Sequence, residues 1–113
     1  MHRGPIVELA PFVPKPGVAE AAILAAAERM EAEFLSQQPG YLGRAVTLDG
    51  DGRWMDIVLW ADHAAAEAIL PKIPSSPACA AYFDCMQGAD PTDPAGGVTL
   101  LRALRTFGRL AVR

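Results

Sequence analysis

Three charged side chains stand inside otherwise apolar, alternating segments. Glu8 lies between Val7 and Leu9, Arg44 between Gly43 and Ala45, and Asp56 between Met55 and Ile57. Two neighbouring carboxylates raise the pKa of one of them, whereas an arginine beside them lowers both. A row of this kind can orient a ligand hydroxyl or supply a general base. The same three residues can equally form an ionic network that satisfies its own charges at an interface between two chains. Asp56 is therefore one candidate catalytic residue, with Glu8 and Arg44 as candidate ligand-binding partners. The other candidate is His63, the only internal histidine. It falls in the first turn of a helix, where the helix dipole disfavours its protonation. It could serve as a base near a pocket mouth or stand as a solvated side chain. Trp54, Trp60, Tyr82 and Phe83 could stack on a flat aromatic ligand, or pack the core as aromatics at strand and helix spacing usually do. No Ser-His-Asp or Cys-His arrangement is supported, and no glycine-rich phosphate loop follows a strand.

Metal chemistry has little to work with. Asp49-Gly50-Asp51-Gly52 resembles the start of a calcium loop, but the twelfth position, where a Glu is needed, is Trp60. The only other histidine is His2, and no Cys-x-x-Cys motif occurs. Cys79 and Cys85, six residues apart in one expected helix, stand about 9 Å apart along its axis. A disulfide needs Cα atoms within roughly 7 Å, so two reduced cysteines are expected. No metal and no cofactor is expected. The formal net charge of −3 and the lack of a basic cluster argue against a nucleic-acid partner. No apolar run approaches the roughly 18 residues that cross a membrane. The N-terminal residues lack a signal-peptide pattern, so a cytoplasmic location is expected. At 113 residues, with 51% hydrophobic and 20% charged, the chain is expected to form a single domain over 1–113.

The elements that must position these residues follow from periodicity. Residues 5–12 alternate and predict a strand, with Ile6, Glu8 and Ala10 on one face and Val7 and Leu9 on the other. Residues 18–38 predict a helix with Ala19, Ile23, Ala26, Met30 and Phe34 as its apolar stripe, ended by Pro39-Gly40. Tyr41 to Leu48 returns to period two. Asp49-Gly50-Asp51-Gly52 then predicts a tight hairpin turn into a third strand over 53–61. Centring that turn on residues 50–51 places Arg44 nearly opposite residue 57, within one register step of Asp56. Trp54, Asp56, Val58 and Trp60 share a face of the third strand. Asp62 is a good N-cap, Pro71 and Pro74 interrupt the helix it starts, and Ser76-Pro77 restarts it. Cys79, Tyr82, Phe83 and Met86 form the next stripe. Residues 87–97 predict a loop, and 98–107 a last strand.

Strand, helix, strand, strand, helix, strand is the ferredoxin-like βαββαβ order, an α+β fold with a four-stranded antiparallel sheet and helices on one face. Its usual strand order, 4-1-3-2, brings Glu8, Asp56 and Arg44 into a row if their faces agree. The helix-free face is expected to carry Ile6, Ala10, Leu42, Val46 and Val58, an apolar surface that a second copy would cover. The segments Gln38-Pro39-Gly40-Tyr41-Leu42-Gly43, Asp56 to Ala66 and Ser75 to Phe83 resemble those of the dimeric α/β-barrel proteins of the antibiotic-biosynthesis-monooxygenase type. The resemblance spans about residues 5–107. It implies a homodimer made by packing two sheets face to face, with a ligand cavity between sheet and helices or at the barrel mouth. It also implies a candidate cofactor-independent monooxygenase acting on an aromatic or polyketide-like compound. In such enzymes the substrate anion itself activates oxygen, assisted by Asn, Trp and sometimes His. Trp60 matches the strand-end Trp of the motif. The sequence departs from the haem-degrading branch, with Tyr82 and Phe83 and no His late in the second helical region. A non-catalytic dimerising or regulatory module is the alternative that the same fold implies.

Overall fold

Alternation between apolar and polar residues builds the sheet, as the computed structural model of the chain shows over its described residues, 4–111. Four strands form it: β1 (Ile6–Phe12), β2 (Tyr41–Leu48), β3 (Trp54–Trp60) and β4 (Thr99–Arg102). They lie in the order β2-β3-β1-β4, and every neighbouring pair is antiparallel. In β3 each second residue is buried, from Trp54 to Trp60, because that side meets the helices. Helix α1 (Glu20–Glu33) presents Ile23, Ala27 and Met30 to that face, and Phe34 and Leu35 continue the stripe through a short 3₁₀ turn at Leu35–Gln37. Helices α2 (His63–Ala68) and α3 (Pro77–Phe83) are joined by a 3₁₀ segment at Leu70–Ser75 that holds Pro71 and Pro74. Asp62 caps α2 by accepting from the Ala65 N–H at 2.8 Å, and Ser76 caps α3 by accepting from Cys79 N–H at 3.2 Å.

The α+β ferredoxin-like architecture and its strand order agree with the sequence expectation, but several details differ. Helix α1 is shorter than 18–38, because the chain tightens into a 3₁₀ turn before Pro39. Ala27 joins its buried stripe, Ala26 packs against the core partly buried, and Ala19 is an exposed N-cap position. The last strand stops at Arg102, not 107. Its partner is β1, whose first residue, Ile6, pairs with Arg102, and one more bond, from the Ala103 N–H to the Pro5 carbonyl at 2.9 Å, closes the pairing. The two cysteines are unpaired, Cys79 fully buried and Cys85 partly so.

The expected composition of the helix-free face is wrong. Ile6 and Val58 are buried in the core, Val46 packs against it, and Ala10 lines an internal cavity, so all four face the helices. Leu42 sits at an irregularity in the pairing of β2 with β3, between Tyr41 and Gly43, and is exposed. The alternation was right and the choice of side was not. Period two separates two faces without saying which one the helices cover. The helix-free face instead carries Val7, Leu9, Met55, Ile57 and Leu59, with Ala45 and Leu101 beside them.

Candidate functional site

The hairpin between β2 and β3 fixes the centre of the site. Asp49 and Arg53 close it, the Gly52 N–H reaches the Asp49 carbonyl, and Gly52 takes a φ of 82°. This is a three-residue loop over 50–52, one residue longer than a tight turn centred on 50–51. The extra residue moves Arg44 opposite Val58 instead of residue 57, so it shares a face with Asp56. On the other side of β3, Glu8 also lies opposite Val58. The expected polar row therefore exists, on the helix-facing side of the sheet.

Within the row the roles divide. Arg44 donates from Nε to Asp56 Oδ1 at 3.2 Å and from Nη2 to Asp56 Oδ2 at 3.1 Å. Its Nη1 donates to the Ala27 carbonyl of α1 at 3.0 Å and stands 3.7 Å from Glu31 Oε1. The side chains of Arg44 and Asp56 are 5% and 9% exposed, so this is a buried, two-pronged ion pair. Burial alone would lower the Arg44 pKa, but Asp56, with Tyr82 adding to it, offsets this and the net shift is upward. Tyr82 of α3 donates its hydroxyl to Asp56 Oδ2 at 2.9 Å, and the guanidinium lies 5.3 Å from the centre of its ring. Burial first, then the Asp56 charge, pushes the Tyr82 phenol well above its usual range, so it stays a donor.

Glu8 is placed differently. Its Oε1 accepts from Trp60 Nε1 at 3.1 Å, while Oε2 has no partner among the described residues. Burial raises its pKa above the ordinary carboxylate value and Asp56 adds to this; the Trp60 hydrogen bond and Arg44 act against it.

Glu8 and Asp56 open onto a cavity of about 250 Å³ between the sheet and the helices. This lies just below the roughly 300–1,000 Å³ common for small-molecule sites. Trp60, Tyr82 and Phe83 form aromatic wall, Met30 and Leu35 contribute from α1 and the turn after it, and Ile69 and Ile73 from the 3₁₀ segment. The last side is the irregular chain from Gln87 to Val98, including Asp90 and Asp93. A smaller space of about 130 Å³ adjoins, and Glu8 lines both.

Of the sequence-nominated residues, Glu8, Asp56, Trp60, Tyr82 and Phe83 line the cavity. Arg44 stands behind Asp56. Trp54 is buried but packs on Phe12, with ring centres 5.7 Å apart, outside the lining. His63 also lies outside it and faces Glu67, its Nδ1 3.3 Å from Oε1. Sequence reasoning missed the wall formed by 87–98. A glycine- and proline-rich stretch signals a loop but not what the loop covers. Among the described residues no group of three His, Cys, Asp or Glu is placed to hold a metal ion, and no helix is long and apolar enough to cross a membrane.

No family model matches the sequence, and no curated protein matches it closely. Solved structures do. SnoaB, a cofactor-independent oxygenase from Streptomyces nogalater, is 20% identical with a TM-score of 0.69, covering 91% of this chain and 96% of its own. A candidate antibiotic biosynthesis monooxygenase from Caulobacter crescentus is 21% identical with a TM-score of 0.67, over 91% of this chain and 92% of that one. Another from Bordetella bronchiseptica is 15% identical with a TM-score of 0.69, over 92% and 99%. Strand order, helix placement and these likenesses agree: the chain has the ferredoxin-like fold of antibiotic-biosynthesis-monooxygenase-type proteins.

Proposed function

We propose that the protein is a homodimer that binds a small aromatic or polyketide-like compound between sheet and helices and oxygenates it without a cofactor. The observation that carries the reading is the cavity itself, aromatic on one side and holding a carboxylate with an open oxygen, Glu8 Oε2, at its wall. The likeness to a cofactor-independent oxygenase supports the reaction class at the level of fold.

In this reading a proton-donating group of the ligand reaches Glu8 Oε2, and Trp60 holds the carboxylate in place through Oε1. Burial makes Glu8 a better proton acceptor than an exposed glutamate. Asp56 is a positioning residue, with both oxygens committed to Arg44 and Tyr82. Net oxygenation of an anthrone-type CH₂ to a carbonyl consumes one O₂ and releases one water, with all four electrons coming from the substrate. The second copy covers the helix-free face built on Val7, Leu9, Ile57 and Leu59.

The test is oxygen uptake with anthrone and 1-naphthol, without added metal, flavin or haem, alongside thermal shift with the same compounds. Uptake above buffer that falls in Glu8→Gln supports the proposal. Neither a thermal shift nor uptake with either compound overturns it.

A further inference from the structure

The charge of the cavity says which aromatic compounds it favours. Its lining includes the carboxylates of Glu8, Asp56, Asp90 and Asp93, and no Lys, Arg or His. Arg44, behind Asp56, is spent: its three nitrogens serve Asp56 and the Ala27 carbonyl, and Glu31 stands beside it. That pairing neutralises Asp56 and leaves Glu8 without a counter-charge of its own. An anionic ligand would meet Glu8 and the exposed carboxylates of the 87–98 segment with nothing to balance it. A cation would meet an open carboxylate oxygen and the faces of Trp60, Tyr82 and Phe83, which attract positive charge.

We propose that the cavity takes an aromatic ligand bearing a protonated amine, whose ammonium donates to Glu8 Oε2 while its ring lies against the aromatic wall. The inference rests on the reading of this cavity as a ligand site and adds the ligand's charge. It stands on the cavity and on Glu8; the loop carboxylates only reinforce the sign. Burial already disfavours an unpaired charge on Glu8, and an ammonium partner removes that disadvantage. The amine binds as a charge-assisted pair in a partly desolvated place, where such pairs are strongest.

Three probes of one shape and different charge test this by titration calorimetry at neutral pH: 2-naphthylmethylamine, 2-naphthalenemethanol and 2-naphthoate. The amine is expected to bind at least about tenfold more tightly than the alcohol, a gap of about 1.4 kcal/mol, and naphthoate most weakly. In Glu8→Gln the amine's advantage over the alcohol shrinks to about threefold or less. Naphthoate binding as tightly as the amine, or an amine advantage that survives in Glu8→Gln, overturns the proposal and leaves the ligand site standing. If none of the three binds to folded protein, the site reading fails and takes this inference with it. Should Glu8→Gln not fold, the ranking on the unaltered protein decides alone.

Discussion

Asp56 divides two oxygens among three donors, two from Arg44 on β2 and one from Tyr82 on α3. Its loss would strand Arg44, whose side chain is 5% exposed, beside the Tyr82 hydroxyl. Asp56→Ala is expected to cost about 3–5 kcal/mol in denaturant unfolding, the penalty of an uncompensated buried charge. Arg44→Met in the Asp56→Ala background should cost much less than in the wild type, and additive effects would show that the two do not interact. Glu8 behaves in the opposite sense. Its pKa is raised on folding, so the native state holds this proton more tightly than the unfolded chain. Stability is therefore full below the unfolded value near 4.5, falls as pH rises from there to the raised native value, and is not regained above it. Glu8→Gln should remove that fall, so the variant gains on the wild type as pH rises through this window. A stability difference that is flat with pH would contradict it. The Arg44–Asp56 pair was legible because two charges in apolar strands flank one hairpin. The Trp60–Glu8 bond was not, because it depends on the pairing of β1 with β3 across 52 residues of chain.

Gly40 shows how tightly the elements meet. It takes a φ of +79°, its carbonyl accepts from Ala61 N–H at 2.8 Å, and a Cβ there would lie 2.5 Å from the Ala65 Cβ. The turn out of the α1 stripe is thereby pressed against the first turns of α2. Gly40→Ala is expected to destabilise by more than the roughly 1–2 kcal/mol of the left-handed conformation alone, because the methyl contact adds to it. Adding Ala65→Gly should recover the contact part and leave the conformational part, measured as a partial rescue of the unfolding midpoint; no rescue would mean that the contact contributes nothing. At this scale the sequence was informative wherever a local signal existed. Asp62 and Ser76 announce their helices by side-chain chemistry. It was silent where the answer lay in another element. The length of β4 depends on where β1 begins, and the buried face of the sheet depends on which side the helices take.

The whole molecule leaves an apolar sheet face on the outside. Val7, Leu9, Met55, Ile57 and Leu59 lie there together, and patches of that kind mark association surfaces. Sedimentation is expected to give twice the chain mass of 12.0 kDa, and Ile57→Asp, at the middle of the face, to give the single-chain value with the fold retained. A wild-type protein that sediments as one chain at micromolar concentration would rule the dimer out. The cavity on the opposite side is walled unequally. Its sheet side is held by ladders of paired strands, whereas beyond Gln87, whose N–H reaches the Val13 carbonyl, the 87–98 segment is tied by short local bonds, Asp93 N–H to Asp90, Gly96 N–H to Asp93 and Val98 N–H to Ala95. Local bonds can break without disturbing the core, so this wall opens at a fraction of the free energy that unfolds the sheet. In hydrogen exchange the amides of residues 93, 96 and 98 should trade deuterium through small excursions, and those of β3 only through global ones. Entry and departure of a bound molecule then follow the clock of this segment, and the protein can release what it holds while remaining fully folded.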